Sequence, residues 1–181
     1  MQITNTERLS FRLMDENDSE LLWLLDQDPK VMKYITGGEI SSKEKIHDVF
    51  IPRMQAYRNS EKGWGLWQVN LLTTNEYLGW ILIRPMEFFT GTPEEDNLEI
   101  GWRFFQKTWG HGYATEAAQH IINTLSANRS IRAFSAIADE NNTASIAVMK
   151  KLGMTYVKTY HYKDQLIDCN VAYYQVKNKV S

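Results

Sequence analysis

Two stretches of this chain combine residue types and spacings that could do chemistry. The first is Gln106-Lys107-Thr108-Trp109-Gly110-His111-Gly112-Tyr113-Ala114-Thr115-Glu116-Ala117, which joins a strand-like run to a helix-like one. Gly110 and Gly112 permit backbone angles closed to other residues and let a ligand approach the main chain. Their amides, with those of Tyr113, Ala114 and Thr115, are the unpaired donors of a helix start. Donors and helix dipole both favour an anion there, phosphate foremost. A glycine-softened turn into a helix is the plainer reading of the same residues. The second stretch is Asp139-Glu140-Asn141-Asn142-Thr143-Ala144-Ser145, leading through Lys151-Leu152-Gly153. Asn142 or Thr143 suits a helix N-cap and Gly153 a C-cap.

Other chemistries fit less well. Gly110-x-Gly112 opens a dinucleotide fingerprint, but Thr115 stands at its third glycine and too little chain follows for a doubly wound sheet. A Gly-Lys-Ser/Thr phosphate loop and a Gly-x-Ser-x-Gly nucleophile elbow are both absent. The four histidines, at 47, 111, 120 and 161, lack the spacing of a helical zinc site, so no metal is expected. The single cysteine, Cys169, excludes an intrachain disulfide and a cysteine-based zinc site, and reads as structural.

The elements that must position these residues follow from periodicity. Short strands are expected over 9–14, 65–73, 77–86, 97–105, 132–138, 155–162 and 167–176. Helices are expected over 19–35 with a break near Pro29, over 42–59 with Pro52 kinking or restarting it, and over 112–126 and 143–152. Residues 90–96 read as a polar loop. Along 97–105, Leu98, Ile100, Trp102 and Phe104 take one face, and Glu99, Gly101, Arg103 and Phe105 the other. This order is an α+β pattern, a mostly antiparallel sheet of about seven strands with about four helices. The strand–helix–strand over 97–138 implies a parallel pair.

The 181 residues read as one domain, 1–181, of ordinary globular make-up, with 43% hydrophobic and 23% charged residues. A formal net charge of -2 gives no nucleic-acid footprint. No apolar run approaches a membrane span and the N-terminus has no signal-peptide core, so a soluble cytoplasmic protein, monomer or homodimer, is expected.

Taken together, the two stretches resemble the GNAT superfamily of acetyl-CoA-dependent N-acetyltransferases. The family's pyrophosphate loop, Gln/Arg-x-x-Gly-x-Gly/Ala, matches Lys107-x-x-Gly110-x-Gly112, with lysine a departure at the first position. Trp-Gly-x-Gly-Tyr-Ala-Thr-Glu-Ala at 109–117 looks like the ribosomal-protein N-terminal acetyltransferase branch. Asn-x-x-Ser and Lys-Leu-Gly match Asn142, Ser145 and Lys151-Leu152-Gly153. The resemblance implies a GNAT fold whose strands 97–104 and 132–138 splay apart. Acetyl-CoA would enter as co-substrate, its pantetheine arm pairing with backbone at Trp102 and Phe104. Its pyrophosphate would rest on Trp109, Gly110, His111, Gly112, Tyr113, Ala114 and Thr115, with Lys107 at the loop's head and Asn142 bonding the arm. His111 would act through its backbone.

Acetyl transfer to a primary amine needs a base, a donor to the carbonyl oxygen and a proton for the thiolate. The resemblance makes Glu99 the base, although Glu99 could equally face solvent or pair with Arg103 or Arg84. A backbone N–H near 100–102 would serve the carbonyl. Many family members place a tyrosine seven residues after the motif asparagine. Met149 stands there, so Ser145 becomes the expected partner of the departing sulfur, with Tyr156 and Tyr160 as alternatives. The acceptor, a protein N-terminus, an antibiotic amine, or a polyamine or amino acid, would lie between 35–64 and 160–168. Tyr34, Trp64, Trp67, Trp80 and Phe88 are candidate walls that also fit core positions. Glu39, Glu87, Glu94, Glu95, Asp96 and Asp164 could make its mouth acidic. A non-catalytic acetyl-CoA-binding module of the same fold is the rival reading.

Overall fold

The computed structural model describes residues 1–178. Its strands are β1 (Leu9–Leu13), β2 (Gly65–Leu71), β3 (Tyr77–Met86), β4 (Glu94–Phe104), β5 (Ala133–Asp139), β6 (Thr155–Lys163) and β7 (Asp168–Lys177). They form one sheet in the order β1-β2-β3-β4-β5-β7-β6. Neighbours run antiparallel except β4 and β5, which are parallel. Helix α5 (Tyr113–Leu125) makes the crossover between that pair.

The alternation along β4 sorts its side chains as expected. Leu98, Ile100 and Phe104 join Val69, Ile81, Ala117, Ala118, Ile121 and Phe134 in a core beneath α5 and α6 (Thr143–Lys151). Each of the larger side chains among them, from valine to phenylalanine, stabilises the fold by roughly 1.5–3 kcal/mol. Leu66 and Leu82 face the other way and pack with Met14, Leu22, Ile46, Ile51, Met54 and Tyr57. Those residues come largely from α1 (Ser19–Leu25), α4 (Ile51–Tyr57) and the π-helical turn at 46–50 that joins α3 (Lys43–Lys45) to α4. Both sheet faces are thus covered, and Glu99 and Arg103 project with Leu82's side of the sheet.

The helices of the first third depart from their periodicity. The helix expected over 19–35 does break near Pro29, because the Asp28 carboxylate caps the Lys30 amide at 2.9 Å and Pro29 opens the four-residue α2 (Pro29–Met32). The 42–59 stretch continues through Pro52, but only because residues 46–50 widen into a π turn. Proline has no N–H and its ring crowds the carbonyl four residues back. The Ile51 N–H accordingly bonds Ile46 O, five residues back. Buried positions then run Ile46, Ile51, Met54 and Tyr57, while Val49 and Phe50 are only half-buried. Residues 94–96, expected in a loop, extend β4, with Glu94 opposite Met86 across a bulge.

Candidate active site

β4 and β5 pair over three positions only, Asn97↔Ala133, Leu98↔Phe134 and Glu99↔Ser135. Beyond them β4 stays paired with β3 and β5 with β7, so the two strands part into a wedge. A buried polar network closes its apex. Ser135 Oγ donates to Asn97 Oδ1 at 2.6 Å and accepts from Tyr173 OH at 2.7 Å. Gln175 Nε2 donates to Tyr173 OH at 2.9 Å and to Ser135 Oγ at 3.1 Å. Ser135 is fully buried, so these bonds replace water that it could not otherwise do without. Sequence reasoning missed this network; its one signal is a small polar residue inside an apolar strand.

Both C-terminal strand ends feed helix starts at the open end of the wedge. Residues 106–108 make a 3-10 turn, then Gly110 and Gly112 take left-handed angles, φ +79° and +80°. Gly112 caps α5 without a side-chain bond, and the first α5 helical bond runs from Glu116 N–H to Gly112 O at 3.0 Å. The amides of Tyr113, Ala114 and Thr115 therefore have no carbonyl within the helix. A Cβ on Gly110 would meet nothing within 4 Å, so the loop's outer side is open to a ligand. An open cradle of unused amides at the positive end of a 13-residue helix fits a pyrophosphate.

Side chains of the loop turn elsewhere. His111 Nδ1 lies 2.9 Å from Trp109 O and its ring stacks on Tyr113 at 5.6 Å, so its side chain is engaged within the loop. Lys107 pairs with Glu76 of the β2–β3 turn rather than reaching over the loop. Trp109 Nε1 donates to Phe104 O at 2.9 Å, so that carbonyl is already taken. Of the two backbone stations expected for the pantetheine arm, Trp102 is the one without such an occupant.

At α6, Asn142 Oδ1 accepts from Ser145 N–H at 3.1 Å, the expected cap. The cap uses the Asn142 oxygen and leaves its Nδ2 donors. It uses the Ser145 amide and leaves its hydroxyl. Met149 is buried in the core, where a tyrosine hydroxyl would have to be satisfied.

Glu99 lies at the apex on the opposite face, 6% exposed, and Arg84 Nε donates to its Oε2 at 2.7 Å. Burial works against the charge of Arg84, but the Glu99 carboxylate outweighs it and raises the guanidinium above its ordinary value. Around the pair stand Tyr57, whose burial pushes its phenol up to about 12, and Phe89, 5.2 Å below the Arg84 guanidinium. Tyr160 and Tyr162 are held neutral by burial and then by nearby carboxylates, Glu99 among them. Their hydroxyls donate to Glu87 Oε1 at 3.4 Å and Asp164 Oδ2 at 3.2 Å.

The wall residues divide. Trp80 and Phe88 belong to this face. Trp64 and Trp67 sit in the core under α5, the wrong face for an acceptor. Tyr34 packs beneath Lys33. Tyr57, Phe89, Arg53 and Arg84 carry the face instead, and only Arg84 had been singled out. Asp164 is no mouth acid: it is buried and pairs with Arg53 at 2.6 Å. Glu95 pairs with Lys62 and Asp96 with Arg132, at the end of β4 away from the loop. Tyr156 is 56% exposed on the edge strand, far from a catalytic environment. Among the described residues no cluster of three or more His, Cys, Asp or Glu is placed to hold a metal, and no helix is long and apolar enough to cross a membrane.

Known proteins resemble this chain in sequence and fold. The model of the Acetyltransferase (GNAT) domain matches residues 8–155. The uncharacterised protein YkkB of Bacillus subtilis (strain 168) is 34% identical over 157 residues, 85% of this chain and 86% of its own length. The FsC-acetyl coenzyme A-N(2)-transacetylase of Aspergillus fumigatus is 29% identical over 162 residues, 88% of this chain and 67% of that protein. A solved RimL ribosomal L7/L12 alpha-N-protein acetyltransferase in complex with coenzyme A shares the fold, with a TM-score of 0.76 over 100% of both chains at 17% identity. The matched family span begins just before β1 and ends as β6 starts, taking in the wedge and both helix starts. By that span this chain belongs to the GNAT family of acetyltransferases.

Proposed function

We propose that this single domain moves the acetyl group of acetyl-CoA directly to a primary amine, with Glu99 as base and Ser145 as hydrogen-bond partner of the leaving sulfur. The observation that carries the reading is a strand wedge with an open glycine loop at its mouth and a buried carboxylate at its apex. Acetyl-CoA supplies an activated acetyl thioester. The amides of 110–115 hold its pyrophosphate, and the Asn142 Nδ2 and the Trp102 backbone orient its arm. A backbone N–H near 100–102 meets the charge that grows on the carbonyl oxygen. Arg84 occupies Glu99 Oε2, which leaves Oε1 to take the proton of the incoming ammonium, directly or through a water. The hydroxyls of Tyr160 and Tyr162 are already given to Glu87 and Asp164, whereas the α6 cap leaves the Ser145 hydroxyl over, which favours Ser145 as the hydrogen-bond partner of the sulfur.

The acceptor enters over Tyr57, Phe88, Phe89, Tyr160 and Tyr162. Such a ring-lined entrance suits an amine carried on an apolar or flat body. The FsC-acetyl coenzyme A-N(2)-transacetylase and the RimL alpha-N-protein acetyltransferase, as named, act at an N(2) nitrogen and at a protein alpha-nitrogen respectively. Free thiol release from acetyl-CoA, measured with peptide N-termini, aminoglycosides, polyamines and amino acids, tests the proposal. Turnover with at least one class is expected. Tight acetyl-CoA binding with no turnover across the panel would make this chain a binding module instead.

A further inference from the structure

We propose that Arg8 is a positioning residue for acetyl-CoA: it neutralises Glu116 and turns the 111–112 peptide, so that the loop offers amides and no unpaired negative charge to the pyrophosphate. The inference rests on reading 107–115 as the pyrophosphate loop. It starts from an electrostatic conflict in the loop itself. Glu116 lies in the first turn of α5. A carboxylate there suits an empty helix start, since it complements the dipole. It opposes a pyrophosphate at the same place, because like charges at short range repel.

The N-terminal segment resolves the conflict. Thr6 Oγ1 donates to Glu116 Oε1 at 2.6 Å, and Arg8 Nε donates to Glu116 Oε2 at 2.7 Å. Both carboxylate oxygens are thereby occupied from outside the helix. The same guanidinium donates through Nη1 to the His111 carbonyl at 3.2 Å. A trans peptide is planar, so a carbonyl drawn toward Arg8 sends the Gly112 N–H the opposite way. Arg8 also lies over the Tyr113 ring, 4.7 Å from its centroid, and its Nη2 would stand 3.7 Å from a Cβ at Gly112. One planar fork thus bonds His111, covers Tyr113 and fills the space beside Gly112 between them, a task lysine's point charge cannot copy.

A purely structural role is the competing explanation, and the exposure of the pair separates the two. Arg8 and Glu116 side chains are 44% and 23% exposed, and ion pairs so placed add little to folding stability. Loss of Arg8 should therefore appear in ligand affinity rather than in unfolding.

Calorimetric titration of Arg8→Ala, Arg8→Lys, Glu116→Gln and the Arg8→Ala/Glu116→Gln double variant with coenzyme A and with pantetheine provides the test. Arg8→Ala should weaken coenzyme A about tenfold and leave pantetheine, which has no pyrophosphate, as in the wild type. Arg8→Lys should fall between, and Glu116→Gln should tighten coenzyme A by about twofold. The double variant should return to within about threefold of the wild type, because the unpaired carboxylate is gone. Equal weakening of both ligands by Arg8→Ala, or a double variant as weak as Arg8→Ala, overturns the proposal for Arg8 alone. A wild type that binds coenzyme A no more tightly than pantetheine overturns the loop reading, and this inference with it.

Discussion

Glu99 combines two demands in one side chain. It is nearly inaccessible, yet its Oε2 is held by Arg84 and its Oε1 remains for a proton. If it is the base, Glu99→Gln should lower kcat/KM by about a hundredfold at pH 7 with acetyl-CoA affinity unchanged. The deficit should shrink toward pH 10, where a lysine-like amine sheds its own proton at about pKa 10.4. Rates measured across pH check both statements. Ser145 allows a similarly clean separation. The cap on α6 uses its amide and the Asn142 side chain, so Ser145→Ala keeps the cap. It should reduce kcat about tenfold without a change in melting temperature. Asn142→Ala, by contrast, should cost about 1 kcal/mol of stability in a denaturant titration as well as acetyl-CoA affinity.

At the scale of elements, the glycine loop and the π turn show two different relations between sequence and structure. Gly110 is required by its angle and not by crowding, since no neighbour stands within 4 Å of a Cβ there. Gly110→Ala should therefore cost about 1 kcal/mol of stability, the price of a left-handed angle on a residue with a Cβ. It should also raise the KM for acetyl-CoA several-fold more than it changes kcat, because relaxation of the angle misdirects the loop amides. That loop was legible because its glycines, helix stripe and cap are local signals. The π turn was not. Helical spacing puts Phe50 beside Ile46, whereas the observed five-residue step puts Ile51 there. The widening answers Pro52 and the packing of Ile51 into the cluster with Met54 and Tyr57, which no window of sequence displays.

Across the whole molecule, one buried ion pair joins the two segments that frame the proposed acceptor face. Arg53 on α4 meets Asp164 in the β6–β7 turn at 2.6 Å, with side-chain exposures of 13% and 3%. Asp164→Asn would leave the guanidinium buried without its counter-charge and should destabilise the protein by about 3 kcal/mol. Burial alone would raise the Asp164 carboxyl, but the Leu166 and Ile167 amides and Arg53 outweigh it and hold it below its ordinary value. A depressed carboxyl contributes stability above its unfolded value, about 3.9, and loses it as pH falls through the folded value. Melting temperatures between pH 6 and pH 2 should thus fall more steeply below about pH 4 in the wild type than in Asp164→Asn.

Residue order alone determined the order of the main strands and helices, the parallel β4–β5 pair, the loop at 107–115 and a cap at Asn142 or Thr143, because each is written in local periodicity, turn chemistry or capping. It also put Glu99 opposite the apolar face of β4, since alternation in a strand is fixed by the backbone. Tertiary structure decided what those residues meet. Arg84 against Glu99, Arg8 against Glu116, Arg53 against Asp164 and Ser135 against Tyr173 are separated by between 15 and 111 positions. Such pairings depend on which strands become neighbours and on how far each side chain is withdrawn from water. For the same reason the tryptophans at 64 and 67 were readable as aromatic but not as facing α5. Charge and ring content are properties of the chain, and the partner that neutralises or covers each one is a property of the fold.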